Sequence, residues 1–136
     1  MAALNDLLIP LTVIPGVNTC RIGLEANLTP DDDPIIRLVP GSLAPSSLGT
    51  INGPRILSLT VYFGAQLLEA TDGLAAVYAE LFRLDAAIRE ALLVTAIAAG
   101  LEAGVWRQIT YQDTVMDEDR LPHYKLMAAR FEVVEW

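Results

Sequence analysis

The feature that most constrains the fold is a long amphipathic segment at residues 73–100, GLAAVYAELFRLDAAIREALLVTAIAAG. Apolar residues recur in it at intervals of three or four, which places them along one side of an α-helix. These residues are Leu74, Val77, Leu81, Leu84, Ile88 and Leu92. We expect Asp72 to cap the start of this helix and Gly100 or Gly104 to cap its end. Because a helix with one apolar side must bury that side, the rest of the chain has to provide a surface for it.

Five β-strands are predicted to provide that surface. The strongest strand signal is RILSLTVYFGAQL at 55–67, whose residues alternate regularly between two faces. The other four strands are TCRIGLEA at 19–26, PIIRLVP at 34–40, VWRQITYQD at 105–113 and YKLMAARFEVVEW at 124–136. In the first of these, Cys20, Ile22, Leu24 and Ala26 alternate with the other residues and lie on one side. Pro40 and Gly41 are expected to end the strand at 34–40.

A short apolar helix, LLIPLTVI at 7–14, is predicted ahead of the first strand. Asn5 or Asp6 would cap it, Pro10 would limit or kink it, and Pro15 with Gly16 would end it. The element order is then one helix, three strands, one helix and two strands. This order predicts a single α+β domain over residues 1–136, in which a mixed or antiparallel sheet of about five strands carries the short N-terminal helix and one long helix.

Composition and charge exclude several classes of function. Hydrophobic residues make up 53% of the chain, which is typical of a globular protein with a core. The net charge is −8, and Lys125 is the sole lysine, so we expect a protein that does not grip nucleic acid through phosphate contacts, although DNA can pass near it without being held. No apolar run approaches the roughly 20 residues that span a bilayer, and we expect no signal peptide. Because Cys20 is the single cysteine, we expect a chain without disulfides, made in the cytoplasm.

Three consecutive carboxylates, Asp31 to Asp33, lie between Pro30 and Pro34 and raise the question of a metal site. Successive side chains of an extended segment point to opposite sides, so adjacent aspartates do not converge on one ion. The glycine bend and bidentate glutamate of a calcium loop are absent from the pattern. The residue types instead favour a turn that leads into the next strand, and we expect no metal.

His123 is the single histidine, and it has no cysteine or second histidine at ligand spacing. A catalytic pairing of His123 with Cys20 or with a serine stays open, because such partners meet only in space. No serine lies in a G-x-S-x-G context, and the glycines form neither a phosphate-binding loop nor a dinucleotide fingerprint. We therefore expect a protein that is not an enzyme and holds no cofactor.

Two predicted loops are candidate interaction surfaces, because binding residues concentrate on loops held by a rigid scaffold. One is the stretch rich in Gly, Ser and Pro at 41–54, and the other is the acidic stretch at 113–120. The terminal aromatic would close the core or lie in a subunit interface. The candidate interface residues are Ser46, Ser47, Asn52, Arg55, Asp113, Asp117, Glu118, Asp119, Arg120 and Trp136.

The layout of the chain resembles that of tail terminator proteins of long-tailed bacteriophages, the tail-completion or minor tail family. LLIPLTVIPGVNTCRIGLEANLTPDDDPIIRLVPG resembles the opening of that family: a short helix ending near Pro-Gly, a strand, a turn, and a strand ending in a Val-Pro bend. LSLTVYFGAQLLEATDGLAAVYAELFRLDAAIREAL resembles its central strand and main helix, and LMAARFEVVEW is similar to its last strand. Two departures are Pro10 within the first helix and the length of the 41–54 loop.

The resemblance implies a structural protein of the virion. Such proteins form a ring, expected to be a hexamer, that binds the last ring of the tail tube, stops its polymerisation and offers a surface for joining the head. The implied partners are copies of this chain, the tail tube protein and a head-completion protein, with DNA passing through the lumen. The chain would be assembled in the host cytoplasm into the tail or neck. A neighbouring neck or head-completion protein is the alternative, followed by a small ligand-binding or catalytic domain that uses His123.

Overall fold

In the computed structural model the chain folds as an α+β domain, and the structure describes residues 2–24, 34–45, 55–66, 73–103, 106–116 and 124–135. The strands are β1 (Thr19–Ile22), β2 (Ile35–Pro45), β3 (Arg55–Gln66), β4 (Trp106–Met116) and β5 (Tyr124–Glu135). The helices are α1 (Ala2–Thr12), α2 (Gly73–Glu90) and α3 (Ile97–Ala103), with a π-helical segment (Ala91–Ala96) joining α2 to α3. The predicted fold class and the predicted short and long helices are confirmed.

The five described strands form one mixed sheet in the order β1-β2-β3-β5-β4. β1 runs parallel to β2, and the other three pairs are antiparallel. The long pairing of β3 with β5 places Leu59 opposite Phe131 and Val61 opposite Ala129 at the centre of the sheet. Both are strongly patterned strands, which is why their predicted positions agree with the structure.

One face of the sheet carries the helices and encloses the core. Leu57, Leu59, Val61 and Phe63 of β3 are buried there, together with Met127, Ala129, Phe131 and Val133 of β5. The long helix contributes Leu81, Leu84, Ile88 and Leu92, all fully buried, which confirms that part of the predicted apolar stripe. Val77 is half-buried, and the side chain of Leu74 lies outside the described part of the chain.

The first helix begins earlier than predicted. It starts at Ala2, so Asn5 and Asp6 lie within its turns, and the predicted capping role of either residue is wrong. The physical reason is a stripe of buried leucines, Leu4, Leu7 and Leu11, which already begins before the predicted start. Pro10 lies inside the helix near its end.

The edge strand β1 is shorter than predicted. It spans Thr19–Ile22, and Gly23 follows in the left-handed region with φ of +88°. The predicted alternation also fails, since Ile22 is exposed and Cys20 is half-buried. A strand at the edge of a sheet has a neighbour on one side only, so its inward residues are less covered than those of a central strand.

β2 and β4 are longer than predicted. Pro40 and Gly41 do not end β2, because the pairing with β3 shifts by one residue between Pro40 and Ser42 and absorbs them as a bulge. β4 continues beyond Asp113 to Met116, which pairs with Met127 of β5. The first residues of both predicted loops therefore belong to strands.

The long helix continues through the predicted C-cap at Gly100, which lies inside α3. The other proposed caps, Asp72 and Gly104, fall outside the described residues. The π-helical turn at Ala91–Ala96 is a further departure from the regular helix that the sequence predicts. Such turns shift the register between the two α-helical parts on either side.

Candidate interaction surfaces

Two of the ten predicted interface residues, Arg55 and Asp113, lie in the part of the chain that the structure describes. The other eight, Ser46, Ser47, Asn52, Asp117, Glu118, Asp119, Arg120 and Trp136, lie outside it. The same holds for His123 and for the Asp31 to Asp33 triplet, so the metal and turn interpretations of that triplet both stay untested.

Asp113, the last residue of the predicted strand 105–113 and the first of the predicted loop 113–120, lies within β4. Its carboxylate accepts hydrogen bonds from Nε and Nη2 of Arg130, the residue opposite it on β5. The hydrogen bonds from the Arg130 guanidinium hold the pKa of Asp113 below its usual range. The pair spans two strands on the face of the sheet away from the helices, so an intramolecular contact already engages this predicted interface residue.

Arg55 is exposed at the first position of β3, opposite Pro45 at the end of β2. It therefore stands at the end of the β2–β3 pair, beside the predicted loop whose remaining residues, 46–54, are outside the described part. This position agrees with the prediction that Arg55 flanks that loop.

The two edges of the sheet differ in length and character. Within the described residues, β1 pairs with β2 alone and β4 with β5 alone, which leaves one side of each strand open. The β4 edge has two register shifts and partly exposes Val115, at 41%, and the β1 edge partly exposes Ile22, at 39%. Both register shifts precede Val115 and Met116, so the end of β4 that carries these two side chains pairs with β5 in regular register.

An apolar groove of about 370 Å³ lies between α1 and the C-terminal part of the long helix. On one side the groove is bounded by Ile9 and Pro10 of α1 and by Val13 in the turn after this helix. Thr95, Ala96, Ala99 and Gly100 bound it on the other side. Ile9 and Val13 are 62% and 75% exposed, and the neighbouring Val94 is 60% exposed. The groove therefore presents apolar surface to solvent between two helices.

Trp106, at the start of β4, also lines the groove, and its position depends on Gly100. A β-carbon at Gly100 would come within 1.9 Å of the Trp106 indole nitrogen, so no larger residue fits there without displacing the ring. The indole N–H donates to the carbonyl of Ala96 at 2.9 Å, at the end of the π-helical segment. The close approach of glycine and indole joins the irregular part of the helix to the sheet.

Two interruptions of regular helix geometry lie on opposite sides of this groove. Pro10 has no amide hydrogen, so the carbonyl of Asp6 receives no bond from it. Across the groove, Thr95 and Ala96 belong to the π-helical segment. π-Helical turns are frequent at functional sites. From the sequence, Pro10 is expected to limit or kink the first helix and Gly100 to cap the long helix. The groove between the two helices is not predicted.

A polar network outside the groove fixes α2 on β4. The Thr114 hydroxyl donates to Asp85 Oδ1 at 2.6 Å and lies 2.7 Å from the hydroxyl of Tyr111, which must then donate to it. Asp85 also pairs with Arg89 at 3.1 Å, and the Arg89 guanidinium lies 5.4 Å from the centre of the Tyr111 ring. These contacts hold the helix against the edge strand.

Cys20, one proposed partner of His123, is half-buried in β1. Burial raises the pKa of its thiol to about 11, and Arg37 lowers that pKa by a smaller amount. The thiol is therefore protonated at neutral pH, which is typical of a structural cysteine and not of an activated nucleophile.

The described residues contain no group of three or more His, Cys, Asp or Glu placed to bind a metal ion. None of the described helices combines the length and the apolar character that crossing a membrane requires.

Compared with models of known protein families, the sequence matches none. Compared with curated proteins, it likewise gives no match.

Proposed function

We propose that this chain is a structural assembly protein of a long-tailed bacteriophage, a tail terminator. Copies of the chain form a ring, a hexamer, at the head-proximal end of the tail tube. The ring stops tube polymerisation and provides the surface to which the head is joined through a head-completion protein. No catalysis, cofactor or membrane is involved, and the protein resides in the virion at the tail or neck.

The observation that carries the proposal is the pair of unlike open edges of the sheet. A closed ring of more than two copies needs a heterologous contact, in which one surface of a subunit meets a different surface of the next. β1 and β4 are the strands at the two opposite edges of the same sheet. They expose different residues, Ile22 on β1 and Val115 with Met116 on β4. They supply two distinct surfaces whose backbone groups can pair between subunits.

The charge of the chain supports the same function. Each copy has a net charge of −8, so a ring of six copies is strongly acidic overall. Like charges repel, so the genome can pass through without being held. A ring whose task was to grip DNA would need clustered lysine and arginine side chains instead.

The test is the mass of the purified chain in solution, measured by analytical ultracentrifugation and by electron microscopy of the same sample. A hexamer has six times the 14.7 kDa mass of one chain, about 88 kDa. Charged side chains at a sheet edge oppose strand pairing, so Ile22→Lys on β1 and Val115→Lys on β4 should each abolish the ring. Ala79→Lys, at an exposed position of α2, is the matched control and should leave it intact.

Mixing the two edge variants sharpens the test. Each variant retains one unmodified edge, so an equimolar mixture can form a single contact between unlike variants but cannot close a ring. Dimers in the mixture, and monomers in each variant alone, are the expected result. A wild-type chain that stays monomeric at high concentration, or that stops at a symmetric dimer, would overturn the proposal.

A ring in the neck, formed by a head-completion protein, would use the same two edges. Cosedimentation separates the two functions: a terminator binds purified tail tubes, whereas a head-completion protein binds filled heads. The predicted contact through Asp117 and Glu118 stays a prediction, and reversing both to Lys should weaken docking without unfolding the protein.

A further inference from the structure

The groove between α1 and the π-helical segment has the form of a docking site for a helix. It is bounded by two helices, its sides are apolar, and exposed aliphatic side chains flank it. Amphipathic helices bind in this way, by laying apolar residues into a groove between elements of the partner. We propose that this groove binds a basic amphipathic helix of a different protein, with apolar anchors in the groove and a Lys or Arg beside Asp6. The inference rests on the groove alone and holds whether or not a ring forms.

The size of the groove sets the number of anchors. An apolar cavity of about 150 Å³ holds one benzene molecule. The groove, at about 370 Å³, therefore accommodates two side chains of that size. Two apolar residues three or four positions apart on a helix lie on the same side and at a suitable distance to fill it.

The charge of the groove identifies the partner as basic. Among the residues that line the groove, Asp6 alone carries a charge. Its backbone carbonyl also lacks the usual helical hydrogen bond from residue 10, because Pro10 has no amide hydrogen. A carboxylate and a carbonyl both accept hydrogen bonds, so they favour an ammonium or guanidinium group on the occupant. The chain as a whole, at −8, attracts such a partner from a distance.

The same charges disfavour a second copy of this chain as the occupant. At the groove, a second copy would bring its own acidic surface to Asp6, whereas the edge contacts of the proposed ring use backbone groups. Three of the arginines on the described surface, Arg83, Arg89 and Arg130, already pair with carboxylates of their own chain. An outside partner with its own lysines or arginines is the better complement.

Binding can be measured with two synthetic peptides of about 15 residues, a length at which an isolated helix begins to hold together in water. Both carry leucines at intervals of three and four; one has lysine at the remaining positions and the other has glutamate. A Trp136→Phe background leaves Trp106, which lines the groove, as the reporter of binding by fluorescence. The expected result is that the leucine–lysine peptide binds with a shift of the Trp106 emission and the leucine–glutamate peptide does not.

Variants of the chain then locate the site. Ala99→Leu fills part of the groove without adding a second tryptophan, and it should weaken binding of the leucine–lysine peptide by at least about tenfold. Val13→Lys, at an exposed position outside the core, should weaken peptide binding by a comparable factor. Asp6→Asn should weaken binding by about two- to fivefold, the contribution of an exposed ion pair. The matched control is Glu90→Gln, which removes an equal charge from an exposed position outside the groove and should leave the affinity unchanged.

Three outcomes would overturn the proposal. Equal losses in Asp6→Asn and Glu90→Gln, with no loss in Val13→Lys, would mean that the peptide binds by overall charge and not in the groove. Self-association of the wild-type chain that Val13→Lys abolishes, without peptide binding, would make a second copy the occupant. Binding to vesicles of anionic phospholipid that Val13→Lys abolishes, again without peptide binding, would make a membrane surface the occupant.

Discussion

The two halves of the long helix contrast in how they meet the rest of the molecule. α2 is a regular helix whose buried side chains, Leu81, Leu84 and Ile88, pack on the sheet. The second half begins with a π-helical turn, continues as α3, and packs on the sheet through Trp106 against a helical glycine. Its other side borders the groove. The regular half contributes side chains to the core, whereas the irregular half packs on the core with one side and lines the solvent-exposed groove with the other.

This difference shows how one helix can combine two tasks. A π-helical turn changes the angular position of every residue that follows it, so the apolar side of α3 is no longer in line with that of α2. Ala96 is buried, whereas Ala98 and Ala99 are exposed, and small side chains at such positions leave space between helices. The groove borders this irregular segment, and the variants below test each half separately.

The largest effect is expected from the regular half. Leu81→Ala removes a fully buried side chain from the core and should lower the free energy of unfolding by roughly 2–5 kcal/mol. Its neighbour Phe82 is 61% exposed, and Phe82→Ala should change the free energy of unfolding by no more than about 0.5 kcal/mol. Urea denaturation measures both. Equal losses would mean that the side of α2 that meets the sheet has been assigned wrongly.

Gly100→Ala tests the irregular half. Alanine normally stabilises a helix by about 1 kcal/mol relative to glycine. Here its β-carbon would collide with the Trp106 indole and strain the bond to Ala96, so the variant should instead be destabilised by about 1–3 kcal/mol. Ala98→Gly, at an exposed position of the same helix, is the control and should lose about 1 kcal/mol from helix propensity alone. A Gly100→Ala protein more stable than the wild type, with unchanged Trp106 fluorescence, would show that the close approach is not required.

The polar network between α2 and β4 should have a smaller effect. Thr114→Val removes the hydroxyl that links Asp85 to Tyr111 and should lower stability by about 1 kcal/mol. A double-mutant cycle with Asp85→Asn should give a coupling energy of at least about 0.5 kcal/mol. Additive effects would indicate that the network does not hold α2 on β4.

The smallest effect concerns acid sensitivity in the regular half. Hydrogen bonding to Arg83 lowers the pKa of Glu80, and Arg83 also donates to the carbonyl of Pro15, beyond α1. Because the pKa is lower in the folded state, this contact stabilises the fold above the usual glutamate pKa of 4.5 and is lost as the pH falls through the folded value. Glu80→Gln should therefore cost about 0.2–0.5 kcal/mol at pH 7 and nothing at the acid end of the titration. A loss that does not depend on pH would mean that the charge of Glu80 is irrelevant to stability.

Regular periodicity is the part of this fold that can be predicted from the sequence. β3, β5 and α2 follow patterns of two or of three and four, and their positions agree with the prediction. The departures occur where tertiary contacts override a local rule: Pro40 and Gly41 are absorbed by a bulge, and Gly100 continues a helix because Trp106 packs on it. The burial of Arg37, which donates to the carbonyls of Thr19 and Ile36, likewise depends on strands brought together by the fold.

The candidate site was less predictable than the fold. Asp113 was chosen for its charge within an acidic stretch, but its partner Arg130 lies on another strand and no spacing in the sequence announces that pairing. The groove is lined by Pro10 and by residues of the π-helical turn, which are far apart in sequence. The sequence contains two features that favour a groove, a proline inside an apolar helix and an Ala-Ala-Gly run. They indicate a groove only once the two helices are known to be neighbours.

The central claim is that this chain ends a tail tube, and tail length tests it most directly. Phage-producing cells that lack the chain are compared with cells that supply it from a plasmid, and the released tails are measured by negative-stain electron microscopy. Without the chain, tubes are expected to continue beyond the normal length and fail to join heads, with normal length restored by the wild-type chain and not by Val115→Lys. Tails of normal length, joined to heads in normal yield without the chain, would contradict it.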